Sequence, residues 1–294
     1  MSIIFALLAS ASNAFASLAQ SVANASKPVK VAGKLRYVFD LIKQPVWIFG
    51  TLFLILTFVF GILALDFGQI AAVQPIVVVE LLFTLALRRV WLKDRINKRA
   101  WSAASMLSVG LAGFLLIAHP QPGSRVVPIH SWILALSITI VIITILLAIG
   151  RKGSPARRAA LIGSAGAVVW SIDAGFVKST TEVLARHGWS GVLEDWPLYA
   201  LIATGLLGEF LVQVALHVGP LSASQPAMLI VEPFAGICVG ILLFGEKIAH
   251  SPLDILGATG SLIVMLMGVV LISRWSPPPI TPRFATVSGN SPVG

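Results

Sequence analysis

Nine stretches of this chain, each near 20 residues and almost free of charge, lie at about 3–24, 45–65, 69–88, 101–118, 131–149, 159–179, 197–217, 221–243 and 253–273. A helix of about 20 apolar residues covers the roughly 30 Å of hydrocarbon in a bilayer. Within hydrocarbon a single segment can satisfy its backbone only as a helix. The chain is therefore expected to be an all-α integral membrane protein of about nine transmembrane helices. Only Asp66–Gly68 separates the second stretch from the third, and only Val218–Pro220 the seventh from the eighth. Each of those pairs reads as a tight helical hairpin. Ala11, Ala14 and Ala16 resemble a signal-peptidase region, but Met1-Ser2-Ile3-Ile4 lacks the basic start of a signal peptide. The first stretch is read as a retained span.

The charges fall between these stretches. Lys27, Lys30, Lys34, Arg36 and Lys43 follow the first, Arg88, Arg89, Lys93, Arg95, Lys98 and Arg99 the third, and Arg151, Lys152, Arg157 and Arg158 the fifth. The alternate connections offer only Arg125, Arg186 and Lys247, with Lys178 at a helix end. By the positive-inside rule the basic loops are cytoplasmic, so the N-terminus lies outside the cell membrane and the C-terminus inside. Residues 33–44 mix Tyr37, Phe39, Leu41 and Ile42 with charges and suit an interfacial helix. The Pro-, Ser- and Gly-rich tail at 276–294 reads as disordered.

Composition narrows the function. With 57% hydrophobic and 11% charged residues and a mean hydropathy of +0.92, the chain cannot cover a water-facing surface. A soluble enzyme is excluded. No phosphate-binding loop, metal-spaced His/Cys cluster or Ser/His/Asp order points to a membrane enzyme or a bound cofactor either. The net charge of +9 sits in short loop runs, which argues against nucleic acid as a partner. Cys238 is the single cysteine and reads as a small buried hydrophobe.

The chain also repeats itself. Ala64-Leu-Asp-Phe-Gly68-Gln-Ile-Ala-Ala-Val-Gln74-Pro75 matches Ala215-Leu-His-Val-Gly219-Pro-Leu-Ser-Ala-Ser-Gln225-Pro226 at a constant separation of 151. Gly113-Phe-Leu-Leu-Ile-Ala118 matches Gly268-Val-Val-Leu-Ile-Ser273, and Ala14–Gln20 more weakly matches Ile172–Lys178. The second span then corresponds to the seventh, five crossings later. An odd number of crossings turns the copy upside down. Residues 1–150, including an interfacial linker at 25–44, form a first repeat on this reading, and 151–275 a second, inverted one. Inverted repeats meeting at the midplane can exchange tilts and so open a site to alternate sides.

The two hairpin sequences, with Leu243-Phe-Gly-Glu-Lys247 and Leu116-Ile-Ala-His-Pro120, resemble the drug/metabolite transporter (DMT, EamA-like) superfamily over about residues 3–275. Within it the pattern is similar to the NIPA-like magnesium transporter branch, with nine spans, an outside N-terminus and a basic linker after the first span. The family's Gly-Glu after the third span of a repeat occurs here only in the second copy, as Gly245-Glu246. The first copy has Lys93-Asp94. The resemblance implies a transporter, and its nearest branch implies Mg²⁺ as cargo.

Ionisable groups within spans are costly and usually face a bundle interior. Glu80, Asp173, Glu209 and Glu232 are the candidates, as binders of a substrate or ion. Glu209, Gln213 and His217 follow one another at four-residue steps and share a stripe about 80° wide, which suits either a proton relay or interhelical hydrogen bonds. Gln225 and Glu232 share a face flanked by Pro226 and Pro233, and Gln74 and Pro75 repeat the pattern in the first copy. Each proline frees a carbonyl one turn earlier, as in the broken helices that line transporter sites. Glu80 is then the counterpart of Glu232 with a one-residue slip. Asp173 shares a face with Trp170, an arrangement suited to a cation. Lys178 is expected to snorkel outward. Gly163-Ser-Ala-Gly-Ala167 suits close helix packing.

The expected function is a secondary transporter of a small polar or cationic solute, working by alternating access and open to proton coupling. A few carboxylates with retained waters also suit Mg²⁺ or another divalent cation. A lipid or carrier-lipid flippase and a non-transporting membrane scaffold are the rival readings. Partners are the solute and the bilayer, with a homodimer left open. No resident metal can be assigned.

Overall fold

The computed structural model describes residues 1–25, 44–124, 126–219, 221–248 and 251–275. The expected interfacial helix at 33–44, apart from Gln44, and the tail at 276–294 lie outside the described residues. In chain order the helices are α1 (Ser2–Ala25), α2 (Pro45–Phe67), α3 (Ile70–Val77), α4 (Glu80–Val90), α5 (Lys98–Ala118), α6 (Ile129–Gly150), α7 (Pro155–Glu194), α8 (Trp196–Val218), α9 (Leu221–Phe244) and α10 (Pro252–Trp275). Among the described residues nine helical stretches are long and apolar enough to cross a membrane, with α3 and α4 together making one of them, Ile70–Val90. The chain is α-helical and built as a multi-pass membrane protein. Its outer faces carry Phe58, Ile133, Leu134, Leu206, Phe210 and Leu253, all more than half exposed, a surface suited to lipid rather than water.

Helix starts follow local rules. Proline stands in the first turn of α2, α7 and α8, where its missing N–H loses no bond. Asn97, Ser154 and Asp195 cap α5, α7 and α8 by accepting from the backbone N–H groups of Arg99, Arg157 and Trp196. Ser251 and Asp254 exchange hydrogen bonds at the start of α10, as in a capping box.

Two segments differ from expectation. The connection between the sixth and seventh stretches is helical for most of its length, because α7 runs on to Glu194. Gly188, at φ 67°, interrupts it, and Arg186 pairs with Glu182 one turn apart just before that point. In the third span Pro75 removes a helical bond, and the chain turns at Val78–Val79 before restarting at Glu80. There Val79 N, Leu81 N and Leu82 N donate to carbonyls three residues back. In α9 the expected break is absent. Pro226 and Pro233 both lie within one continuous helix.

Small residues set the closest approaches. Beside Gly110 of α5 a Cβ would lie 2.3 Å from the Met265 backbone nitrogen of α10, and beside Gly268 it would lie 2.6 Å from that of Leu107. These two helices therefore pack backbone to backbone. Gly163 of α7 rests on Met228 and Ser224 of α9, and Gly166 on Val212 of α8, so the small-residue run works as expected. In the bundle α1 packs on α2 and on the third span, α7 packs on α8 and α9, and α3 crosses to α9.

Contacts between connections sort the bundle into two ends. Ser2 abuts Gly68, Gln121 N donates to Lys247 O at 2.8 Å, and Ser124 N to Phe244 O at 2.7 Å. Gly219 instead lies against Pro155, a helix length away at the other end.

Candidate membrane-interior acid site

The break at Val78–Val79 makes Glu80 the first residue of α4. Glu80 points to α1. Its Oε2 accepts from Asn13 Nδ2 at 2.7 Å, and Ser17 also bonds to it. Ser10, one turn earlier on α1, donates to Ile76 O at 3.2 Å and so ties α1 to the chain just before the break.

Glu232 approaches from α9 and lies within the range at which its charge and that of Glu80 act on each other. Both side chains are half-buried. Ser171 of α7 donates to the Glu232 carbonyl at 2.9 Å, fixing the backbone one residue before Pro233. Gln74 reaches the same helix one turn further on. A Cβ on Gly236 would sit 2.4 Å from Gln74 Cγ, so only glycine leaves room for that side chain. Gln74 is buried, and its Oε1 has no hydrogen-bond partner among the described residues. Pro75 and Pro233 are buried and Pro226 partly so. The proline segments therefore face the bundle.

The other expected residues lie elsewhere. Asp173 accepts from Thr204 Oγ1 at 2.6 Å and faces Gly205, on the α8 side of α7. Trp170 packs beside it against Gly208, so the two do share a face. Gln225 is half-buried on α9, on the same face as Glu232. Glu209, Gln213 and His217 share the expected stripe, but all three are exposed on the outward side of α8. Gln213 Nε2 donates to Glu209 Oε1 at 2.6 Å. Among the described residues no three His, Cys, Asp or Glu side chains come together. The four acids do not converge on one cavity.

One cluster was missed. Lys178 does not snorkel outward. Its Nζ lies 2.6 Å from Glu246 Oε1 and 5.1 Å from the centre of the Phe244 ring, and both side chains of the pair are buried. Glu246 also accepts from the backbone N–H groups of Ile70 at 2.8 Å and Ala71 at 2.9 Å, at the start of α3. A lysine near the end of one span and an acid just past the end of another were visible in sequence. Nothing linked the two before the fold did. Beside them Trp132 stacks on Phe176 at 4.3 Å, with Trp196 and Phe244 edge-on.

The chain matches no family model. It is 26% identical over 242 residues, 82% of this chain and 84% of the relative, to an uncharacterized protein of Corynebacterium glutamicum. No solved structure matches.

Proposed function

We propose that this chain is a secondary transporter of the kind it resembles in the drug/metabolite transporter superfamily, moving a small polar or cationic solute by alternating access. The observation that carries this reading is that Glu80 and Glu232 come within electrostatic range of each other. They come from matched segments of the two halves, sit inside the bundle, and lie close enough for their charges to interact. Repulsion between them in a low-dielectric interior is relieved by a shared proton or a bound cation. The free acceptor of Gln74, one helical turn away, adds a neutral oxygen ligand. A divalent cation such as Mg²⁺, which keeps several waters and takes one or two carboxylates, suits this set as cargo.

The packing supports two inverted halves. The α1–α2 pair of the first half has its counterpart in α7–α8 of the second, and α3 against α9 and α5 against α10 are the pairings that an in-plane two-fold would relate to themselves. Glu80 and Glu232 are 152 residues apart, as are Asp94 and Glu246, close to the 151 of the hairpins. Glu246 fastens the start of α3, in the other half. Asp94 instead pairs with Arg88 of its own half at 2.8 Å. Glu246 thus latches one end of the bundle across the halves, as in one of two alternating states.

The test is uptake of divalent cations and of small metabolites into proteoliposomes, with and without a pH gradient. Glu80→Gln/Glu232→Gln keeps shape and hydrogen bonding but cannot ionise, and it is expected to abolish coupled uptake while folded protein remains in the membrane. Uptake at the wild-type rate would mark both acids as structural, whereas no uptake of any solute by the wild type would leave the scaffold and flippase readings.

A further inference from the structure

From Pro155 to Gly188 the helix α7 is about 50 Å long, whereas a bilayer with its headgroups measures roughly 40–45 Å. Gly188 therefore reaches the membrane boundary, at the end of the bundle where Lys178 meets Glu246. Its φ of 67° turns the chain, and nothing lies within 4 Å of where its Cβ would stand. The helix then resumes over 189–194 and folds back, so closely that a Cβ on Gly191 would overlap that of His187. That stretch covers about 9 Å, enough to return from the boundary to the hydrocarbon edge. There α8, the next span, opens at Trp196, and Tyr199 Oη in its first turns donates to Leu193 O at 2.7 Å.

The two sides of the returning stretch differ. At about 100° per residue, Val192, Trp189 and Leu193 share one arc, and Ser190, Glu194 and Gly191 the arc nearly opposite. Val192 is buried, while Trp189 is 74% and Leu193 61% exposed. Ser190, Gly191 and Glu194, with Val183, His187 and Asp195, line an open cleft instead. We propose that residues 189–194 are an interfacial helix seated in the headgroup layer of the bilayer, with Trp189 and Leu193 toward lipid and the cleft toward water. A short helix with Trp and Leu on one face and polar groups on the other has the form of a membrane-surface element. Trp and Tyr gather at that level because an apolar ring meets lipid while its N–H or O–H stays wet. Lipid surrounds this position, since α8 enters the hydrocarbon within a turn of Leu193. Two side chains fall well short of the roughly 800 Å² that each partner buries in a stable protein interface. The contact holds the far end of α7, the helix that carries Lys178.

The experiment uses the full chain in vesicles of phosphatidylcholine and phosphatidylglycerol, in a Cys238→Ala background. Nitroxide labels are placed singly through Trp189→Cys, Ser190→Cys, Leu193→Cys and Glu194→Cys, all exposed positions whose change removes no core side chain. Collisions are measured with oxygen, which concentrates in lipid, and with a water-soluble nickel chelate. The ratio of oxygen to nickel access should be several-fold higher at 189 and 193 than at 190 and 194. Equal ratios at the four positions would overturn the proposal, because the segment would then project into water. Low access to both reagents at 189 and 193 would overturn it too, because protein would then cover them. None of these readouts depends on transport.

Discussion

Removing the Lys178 ammonium while leaving Glu246 in place tests what holds one end of the bundle closed. Lys178→Met preserves the length and apolar stem of the side chain. Among the described residues it leaves an almost fully buried carboxylate with the two backbone N–H groups of Ile70 and Ala71 as its remaining partners. Stranding one member of a buried ion pair costs about 3–5 kcal/mol. At roughly 2–4 °C per kcal/mol for a chain of this order, the unfolding midpoint should fall by about 6–20 °C. Thermal unfolding in detergent, followed by tryptophan fluorescence, reads this directly.

The charge swap is the sharper arm. Lys178→Glu/Glu246→Lys restores an opposite-charge pair but points an ammonium at two N–H donors and at the positive end of α3. Hydrogen bonds to a charged acceptor are worth about 1.5–3 kcal/mol each, so the swap should stay about 3 kcal/mol or more below wild type. Full recovery by the swap would refute the capping role of Glu246 and reduce the cluster to a simple ion pair. A midpoint unchanged by Lys178→Met would refute the ion pair itself.

Topology follows from the loop charges. In a Cys238→Ala background, Ser154→Cys should react with membrane-impermeant thiol reagents only from the cytoplasmic side, and outside-only labelling would overturn both the orientation and the inversion. Inverted halves also predict a second state in which Asp94 reaches the start of α9 at Leu221 and Ser222, the positions matching Ile70 and Ala71. Asp94→Cys/Ser222→Cys should then cross-link more readily when Lys178→Met is added, and an absence of linkage under every condition would count against alternation.

The spans were legible because length and lack of charge are enough to mark them. Which side of each span faces inward was not. α2 and α6 are apolar on nearly every side, and acids appear singly on the rest, so period alone could not say that Glu209 points out and Glu80 in. Pro75 announced a break and made one. Pro226 and Pro233 announced breaks and made none, since α9 continues through both. The Lys178–Glu246 contact joins residues 68 positions apart. It depends on how α7 and α9 meet, which no local pattern records. Conversely, the run Gly163–Ala167 was readable because small side chains in hydrocarbon have one main use, close approach of helices.

The polar groups of this bundle can be ordered by what satisfies them, and the order separates their roles. Glu246 finds an ammonium and two backbone donors within the chain, so its bonding is complete without a ligand. Asp173 is tied to Thr204 across the α7–α8 contact, which suits a group that fixes two helices to one another. Glu209 bonds within its own stripe and otherwise faces out of the bundle, so whatever else answers it must come from outside. Glu80 has an amide and a hydroxyl from α1, and among the described residues the charge that acts between it and α9 is that of another carboxylate, Glu232. Gln74 nearby has an acceptor, Oε1, without a hydrogen-bond partner among the described residues. Two acids and a spare oxygen form a set of acceptors short of positive charge, drawn from both halves of the molecule. On the transport reading, that shortage is what a proton or a cation enters to meet. Because the acids belong to different halves, any exchange of tilt between the halves must change the distance between them, and with it the hold on whatever they share.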